Sequence, residues 1–267
     1  MQIFNSWLDS WRAVVSSARQ RMLYKPWRAS LGLWLLIMIA TPIGLWTADA
    51  SIFPFLTTMG VLAQTSASIL VLATEKPGRW LQRTVLVVVS LTWLVEFIGQ
   101  RSGLPFGDYA YTEVLQPQLG GVPLLIPLAW LMMLAPAWGV AEILLGKRRH
   151  PLSFALLAGL AFTVWDLYLD PQMVARGLWV WAQPGGYFGI PWSNYLGWWL
   201  SASLLTLLLR PSDLPTRPLL VIYTLTWVFQ AIGQGLFWGQ VGPALAGFAG
   251  MGVFAALAWR ITLRQAR

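Results

Sequence analysis

The chain of 267 residues contains no cysteine, one histidine and few charged residues. Without cysteine there is no disulfide, no thiolate nucleophile and no cysteine-ligated metal. The single histidine, His150, follows a basic run and is more typical of a solvated loop than of a multi-histidine metal site. Charged residues make up 10% of the chain, whereas soluble domains carry about 25%. The lack of cysteine and of paired histidines excludes several redox and metal chemistries, so we expect no metal and no cofactor. The low fraction of charged residues indicates an integral membrane protein.

Hydrophobic residues are abundant instead, at 57% of the chain, with 18 tryptophans. A helix needs about 20 mostly apolar residues to cross the hydrocarbon core. Eight runs satisfy this, at residues 29–46, 52–73, 83–100, 121–145, 152–169, 190–209, 218–237 and 241–261. The predicted fold class is therefore all-α: a polytopic integral membrane helical bundle of about eight transmembrane helices, with residues 29–267 forming a single domain.

The basic residues are distributed unequally between the two sides of this predicted bundle. Of the 18 Lys and Arg residues, 16 fall on the side of both termini, and only Arg101 and Arg176 fall on the other side. Cytoplasmic loops carry such an excess, so we predict a multi-pass protein of the cell (inner) membrane with both termini cytoplasmic. This explains the net charge of +8 without nucleic acid.

Residues 1–28 lack the apolar core of a signal peptide. We predict that they form an amphipathic segment on the cytoplasmic surface.

A short internal similarity links the third and seventh spans. Residues 92–100 (TWLVEFIGQ) and 226–234 (TWVFQAIGQ) are identical at five of nine positions. The match predicts a parallel 4+4 repeat of two four-helix halves. The alternative is chance, since short membrane segments often resemble one another.

Polar residues inside the spans fall mainly at the outer end of the predicted bundle. They include the pair Glu96 and Gln100, and the pair Asp166 and Asp170, each one helical turn apart. Asn194 begins the sixth span, while Gln230 and Gln234 lie in the seventh and Tyr109 and Tyr111 in a nearby loop. A carboxyl group inside a membrane is costly and is by default a functional candidate. Alternatively, these side chains only hold helices together by hydrogen bonds.

Four segments resemble a known family: GQRSGLPFGDYAYT, GVPLLIPLAWLMM, WDLYLDPQM and GGYFGIPWSNYLGWW, in this order between residues 99 and 199. Together they resemble the carotenoid biosynthesis membrane proteins that act as carotenoid end-group hydratases. The resemblance implies addition of water across the terminal C1–C2 double bond of an acyclic carotenoid end, which gives a tertiary alcohol. It also implies a long polyene substrate, contact with the lipid bilayer and other carotenoid biosynthesis enzymes as candidate partners.

Alkene hydration needs a proton donor, a stabilised carbocation and an activated water, and it needs no redox cofactor. We expect Glu96, the deeper acid, to donate the proton, and Asp166 or Asp170, nearer the aqueous edge, to activate water. Predicted substrate-binding residues are Gln100, Tyr109, Tyr111, Trp165, Asn194, Gln230 and Gln234. Glu142 lies near the cytoplasmic end, within reach of Lys147 or Arg148, and is expected to be structural. Two other functions remain open: a small-molecule membrane transporter, or a non-catalytic carotenoid-binding or assembly protein.

Overall fold

The computed structural model describes residues 26–48, 50–147 and 149–266. The predicted amphipathic segment over residues 1–28 lies almost wholly outside these ranges, so it stays a prediction. Arg148, one of the two partners expected for Glu142, lies outside them as well.

Eight helices within these ranges correspond in order to the eight predicted spans. They are α1 Pro26–Thr47, α2 Phe53–Leu72, α3 Gly78–Ser102, α4 Leu125–Leu145, α5 Pro151–Ala175, α6 Trp192–Leu209, α7 Thr216–Ile232 and α8 Val241–Gln265. Seven are long and apolar enough to cross a membrane, with α7 counted together with the π-helical turn Gly233–Phe237 that continues it. The shorter α6 begins with the less apolar sequence Trp-Ser-Asn-Tyr. The protein is a multi-pass membrane protein, and the predicted all-α bundle is confirmed.

Within the described part of the chain, four short strands lie at one end of the bundle, in the loops between helices, and they were not predicted. They are β1 Tyr109–Tyr111, β2 Gln118–Leu119, β3 Val122–Pro123 and β4 Trp179–Trp181. β1 pairs antiparallel with β4, and β2 pairs antiparallel with β3. Strands of two or three residues are too short to produce a recognisable alternation in sequence. We call this end of the bundle the ribbon end.

The central helix of the bundle is α4. Of its most apolar 18-residue window, 78% is buried within the protein, compared with 22% for α1 and for α3. It packs against α2, α3, α5, α7 and α8. A helix that is apolar on all sides is typical of the interior of a membrane bundle. The site described below forms where α4 meets α3 and α5 at the ribbon end.

Three of the described helices contain an internal proline, Pro42, Pro136 and Pro171, and for the last two a hydroxyl group from another segment binds the backbone carbonyl that the proline leaves free. Pro136 in α4 has no N–H to donate to the carbonyl of Met132, and Ser68 Oγ of α2 donates to that oxygen at 2.9 Å. Pro171 likewise leaves the carbonyl of Leu167 free, and the Tyr187 hydroxyl donates to it at 3.0 Å. α5 continues past residue 169, where the predicted span ends, to Ala175.

The structure does not confirm the 4+4 repeat. Glu96 of α3 is buried at 2% exposure and is enclosed by three hydrogen-bond donors. Gln230, the residue at the corresponding position of α7, lines a different cavity, and its Oε1 has no hydrogen-bond partner among the described residues. The matched segments therefore have different surroundings.

The close packing of α5 on α6 depends on Gly159. A Cβ at this position would overlap Ser203 Oγ and lie 2.9 Å from the carbonyl oxygen of Trp199. We expect Gly159→Ala to lower the free energy of unfolding by about 1–3 kcal/mol, because overpacking forces backbone shifts. Gly32→Ala is the matched control: a Cβ there meets nothing within 4 Å, and alanine favours a helix by up to about 1 kcal/mol. Denaturation of both variants in detergent measures the difference, and equal stabilities would contradict this packing.

Candidate functional site

Glu96 on α3 lies among three hydrogen-bond donors. Its Oε2 accepts from the hydroxyls of Tyr109 at 2.5 Å and Tyr111 at 2.8 Å, and its Oε1 accepts from Trp130 Nε1 at 3.1 Å. The two tyrosines come from β1 and the tryptophan from α4. Each of these three hydrogen bonds is therefore donated by a neutral side chain.

Asp166 and Asp170 on α5 form a second carboxyl cluster. They are one helical turn apart and face α6, where Asn194 Nδ2 donates to Asp166 Oδ2 at 2.9 Å and also to Asp170 Oδ2. Trp179 Nε1 of β4 donates to Asp170 Oδ1 at 3.0 Å. Asp166 Oδ1 is buried and accepts no hydrogen bond from the described residues. One amide thus bridges two carboxyl groups.

The β1–β4 ribbon covers both clusters. Tyr109 pairs with Trp181 and Tyr111 with Trp179. Because side chains alternate along a strand, all four rings lie on one face of the ribbon, and Ala110 and Val180, exposed to solvent, lie on the other. The paired rings are 5.8 and 5.7 Å apart between centroids. The ribbon therefore supplies both an aromatic cover and hydrogen-bond donors to the carboxyl groups.

A small enclosed space, the carboxyl chamber, lies beneath the ribbon. Its polar lining residues are Glu96, Asp170, Asn194, Tyr109 and Tyr111, and its apolar lining comprises Phe106, Ile126, Ala129, Trp130, Leu169, Trp179, Trp181 and Trp198. The volume open to the centres of water molecules is about 20 Å³. A buried water needs about 10–15 Å³ on this measure, so the chamber has room for one or two water molecules.

A larger space, the apolar cavity, adjoins the chamber. It lies between α1, α2, α4, α5 and the end of α7, and its volume on the same measure is about 90 Å³. Its lining residues include Trp34, Met38, Phe53, Gly60, Gln64, Met132, Trp165, Gln172, Gln230 and Trp238. Four residues line both spaces: Ile126, Ala129, Leu169 and Trp179. These four form a shared wall between the chamber and the cavity.

The structure sorts the residues predicted for the site into three groups. Glu96, Asp170, Asn194, Tyr109 and Tyr111 line the chamber, with Asp166 behind Asp170. Trp165 and Gln230 line the apolar cavity instead. Gln100 and Gln234 line neither space: Gln100 Nε2 donates to the carbonyl of Gly120 at 2.8 Å, and Gln234 Nε2 donates to that of Tyr168 at 2.7 Å.

The three acids do not differ in burial. Asp166 is 0% exposed, Asp170 2% and Glu96 2%. The ribbon and the chain leading into α6 cover the helix ends that carry them. Burial therefore gives no reason to prefer Glu96 as the acid, and the expected difference in membrane depth stays a prediction.

Sequence reasoning missed most of the aromatic lining. Trp130 was not singled out, although it donates to Glu96 and stacks on Trp198 at 4.7 Å between centroids. Trp179 donates to Asp170 but could not be distinguished from a tryptophan of the membrane interface. A polar residue in a membrane span is rare and can be recognised from the sequence as a candidate. One tryptophan among 18 cannot be recognised in this way.

Glu142 is a buried carboxyl that belongs to the opposite end of the bundle. Its Oε2 pairs with Arg149 Nη2 at 3.3 Å. Lys147, one of the two partners expected from the sequence, pairs instead with Asp213 at 3.4 Å. Among the described residues no ion pair reaches Glu96, Asp166 or Asp170. The three carboxyl groups at the ribbon end thus lack the cation that Glu142 has.

Comparison with known proteins places these features in a family context. The model of a family described as "Carotenoid biosynthesis protein" matches residues 55–254. The bisanhydrobacterioruberin hydratase of Haloarcula japonica is 38% identical over 132 residues, which are 48% of this chain and 45% of that protein. The match therefore spans about half the length of this curated relative. No solved structure matches the chain.

The environment of Tyr109 and Tyr111 predicts how they respond to alkaline pH. Both lie in β1, outside the spanning helices, and burial, followed by the charge of Glu96, raises the pKa of each phenol above its ordinary value of 10.0. The protonated phenols contribute to the free energy of unfolding below about pH 10, the pKa of tyrosine in the unfolded chain. This contribution is lost as the pH rises towards the higher pKa that the phenols have in the folded protein. We expect the tyrosinate absorbance of the folded protein near pH 10–11 to be unchanged by the double substitution Tyr109→Phe/Tyr111→Phe.

The same pair of proteins, unfolded in denaturant, provides the control. The parent chain should then show two more ionising tyrosines than the double variant. A difference of two tyrosines already present in the folded proteins near pH 10 would contradict the buried, hydrogen-bonded placement of these phenols.

Proposed function

Because this chain belongs to the carotenoid biosynthesis protein family, we propose that it hydrates the terminal C1–C2 double bond of an acyclic carotenoid end group to give a tertiary alcohol. The name of the Haloarcula japonica relative, a hydratase, supports this reaction class. The observation that carries the proposal is the carboxyl chamber. Two carboxyl groups from different helices, Glu96 and Asp170, line a space sized for water and walled by aromatic rings.

The first step is protonation of the alkene. Asp166 and Asp170 share the amide of Asn194 and have no cationic partner among the described residues. Two adjacent carboxyl groups in a buried site cannot readily both carry a negative charge, so one proton is held between them. Asp170 lines the chamber and Asp166 does not. Asp170 therefore donates the proton to C2 of the alkene, which leaves a tertiary carbocation at C1.

The carbocation is stabilised by ring faces before water attacks it. Trp179 lines both the chamber and the apolar cavity, and a desolvated cation gains up to about 2 kcal/mol from an aromatic face. A chamber water adds its oxygen to C1 and gives a proton to Glu96, whose hydrogen bonds all come from neutral donors. This exchanges the roles expected from the sequence, where Glu96 was the acid. Return of that proton to the aspartate pair completes the cycle.

The chemistry of this cycle uses only side-chain protons and water. Tyr109, Tyr111 and Asn194 hold the carboxyl groups in place, and no metal or redox cofactor takes part in any step. The substrate is a long polyene that reaches the chamber from the lipid bilayer. Other carotenoid biosynthesis enzymes are the natural partners of such a protein, since they supply its substrate and use its product.

Substitution of the chamber carboxyls tests the proposal. Because general acid–base catalysis contributes about 10²–10⁴-fold, we expect Glu96→Gln and Asp170→Asn to lower the hydration rate by about 10² or more. Asp166→Asn should have a smaller effect, since Asp166 lies behind Asp170. The measurement is conversion of an acyclic carotenoid in membranes with equal amounts of each variant, with pigments separated by chromatography and identified by mass.

The matched control for these variants is Glu142→Gln. Glu142 is another buried carboxyl, 4% exposed, but it lies at the opposite end and pairs with Arg149. Its loss should reduce stability and leave hydration per folded molecule near that of the parent. Near-normal turnover by Glu96→Gln or Asp170→Asn would remove that residue from the mechanism. No hydration by the parent chain would favour a transporter or a non-catalytic carotenoid-binding or assembly protein.

We further propose that the ribbon end faces the outside of the cell (inner) membrane and that both termini are cytoplasmic. The distribution of basic residues supports this: Arg101 and Arg176 lie at the ribbon end, whereas Lys147, Arg149 and Arg210 lie at the opposite end. Reporter fusions after Gly107 should read as external and fusions after Lys147 as cytoplasmic. The reverse pattern would invert the orientation and move the chamber to the cytoplasmic half.

A further inference from the structure

The carboxyl chamber is too small to hold the end of a carotenoid. Its volume of about 20 Å³ accommodates water, so the substrate must occupy another space that meets the chamber. The apolar cavity adjoins it through the shared wall of Ile126, Ala129, Leu169 and Trp179. Ala129 is the smallest side chain of that wall. An alkene carbon in the cavity can approach Asp170 only across this wall.

The cavity has the length of a chain end rather than of a whole polyene. Along α2 its lining residues run from Phe53 to Gln64, which at 1.5 Å per residue is about 16 Å. The hydrocarbon core of a bilayer is about 30 Å thick. The cavity is therefore about half as long as the hydrocarbon core is thick.

The walls of the cavity suit a flexible unsaturated chain. On the side of α1, α2 and α4 most lining residues are apolar, with the ring of Trp34 and the thioethers of Met38 and Met132, and the polar ones are Thr41, Thr57 and Gln64. Methionine side chains adapt to irregular shapes, and aromatic faces pack on other π systems. Such walls bind through contact area and do not require a polar group on the ligand.

Polar atoms without partners on the opposite side of the cavity indicate that it is built for an occupant. Trp165 Nε1, Gln230 Oε1 and Trp238 Nε1 are buried and accept or donate no hydrogen bond among the described residues. Trp165 is only 1% exposed. Buried polar atoms without a partner are rare, and ordered water commonly binds them. We therefore expect ordered water on the α5–α7 side of the cavity.

We propose that the apolar cavity binds the terminal isoprenoid segment of the substrate, with the end double bond at the shared wall and the rest of the polyene in the bilayer. This inference rests on the hydration proposed above and assigns a separate binding site to the hydrocarbon part of the substrate. It has a consequence for selectivity. The protein recognises the end segment within about 16 Å and does not recognise the far end, so substrates that differ only beyond that length are hydrated equally.

Filling the cavity tests this assignment. Gly60 lines the cavity, and a Cβ there meets only Ile37, at 3.7 Å; the side chain in Gly60→Leu would thus extend into the space. The control is Gly32→Leu, since Gly32 of α1 has nothing within 4 Å and does not line the cavity. Leu56→Trp, at a second lining position, serves if Gly60→Leu does not fold. Unfolding temperatures establish that each variant used is folded.

Binding is measured separately from turnover. All variants are made in the Glu96→Gln background, and an acyclic carotenoid is titrated into nanodiscs that contain each protein. We expect Gly60→Leu to raise the Kd about tenfold or more, because each methylene displaced from an apolar site changes the Kd about fourfold. Gly32→Leu should leave the Kd unchanged. Tight binding by both folded filling variants would overturn the assignment.

The two proposals fail in different ways. If the parent protein binds the polyene in a manner sensitive to Gly60→Leu but hydrates nothing, the cavity assignment stands and the hydratase proposal fails. If the parent hydrates the polyene and the filling variants bind it normally, the hydratase proposal stands and the cavity assignment fails.

A series of polyene chains that share the end group but differ in length provides a second test. Affinity should increase with chain length and then level off near 16 Å. A continued increase in affinity beyond that length would also overturn the assignment.

Discussion

Three carboxyl groups buried at one end of a membrane bundle, without a cation among the described residues, must find their hydrogen-bond partners inside the protein. A carboxyl group without donors would cost several kcal/mol in such surroundings. The rest of the ribbon end is arranged around this requirement. β1 supplies two tyrosine hydroxyls, β4 a tryptophan N–H, α4 another tryptophan N–H and α6 the amide of Asn194. Removing any of these segments would leave a buried carboxyl oxygen without its donor.

The same need to satisfy buried polar groups explains how α4 and α5 remain intact at their internal prolines. Ser68 binds the carbonyl freed by Pro136, and Tyr187 binds the one freed by Pro171. Each hydroxyl comes from a different segment, so the contact also ties that segment to the helix. Asp170 precedes Pro171, so the contact of Tyr187 maintains the turn of α5 that carries the aspartate pair. Backbone satisfaction and placement of the site are thus coupled.

The arrangement separates two tasks that a carotenoid hydratase would have to combine. A carbocation reaction needs a small space with controlled water, whereas a polyene needs a long apolar surface. Here the chamber and the cavity meet at a wall of four side chains. The carboxyl groups lie on the chamber side of that wall, so the long chain does not have to displace them. Selectivity for the end group and catalysis can therefore depend on different residues.

Much of the architecture could be predicted from the sequence because it depends on local properties. The length of an apolar run predicts a membrane span. The unequal distribution of the few basic residues predicts the orientation of the spans. A carboxyl group such as Glu96 is easily noticed because carboxyl groups are rare in membrane spans. Pairs one turn apart, such as Asp166 and Asp170, share a helix face in any context. These features led to the membrane bundle and to the candidate acids.

Only the tertiary structure decided which of those residues meet. Gln100 lies one turn from Glu96, yet it binds the loop at Gly120, while Tyr109 and Trp130 reach the carboxyl from 13 and 34 residues away. The pairing of Tyr109 with Trp181 joins strands too short to show a pattern. The burial of Asp170 follows from that ribbon and not from its position near a helix end. Such contacts depend on how distant segments pack, and no periodicity within one segment encodes them.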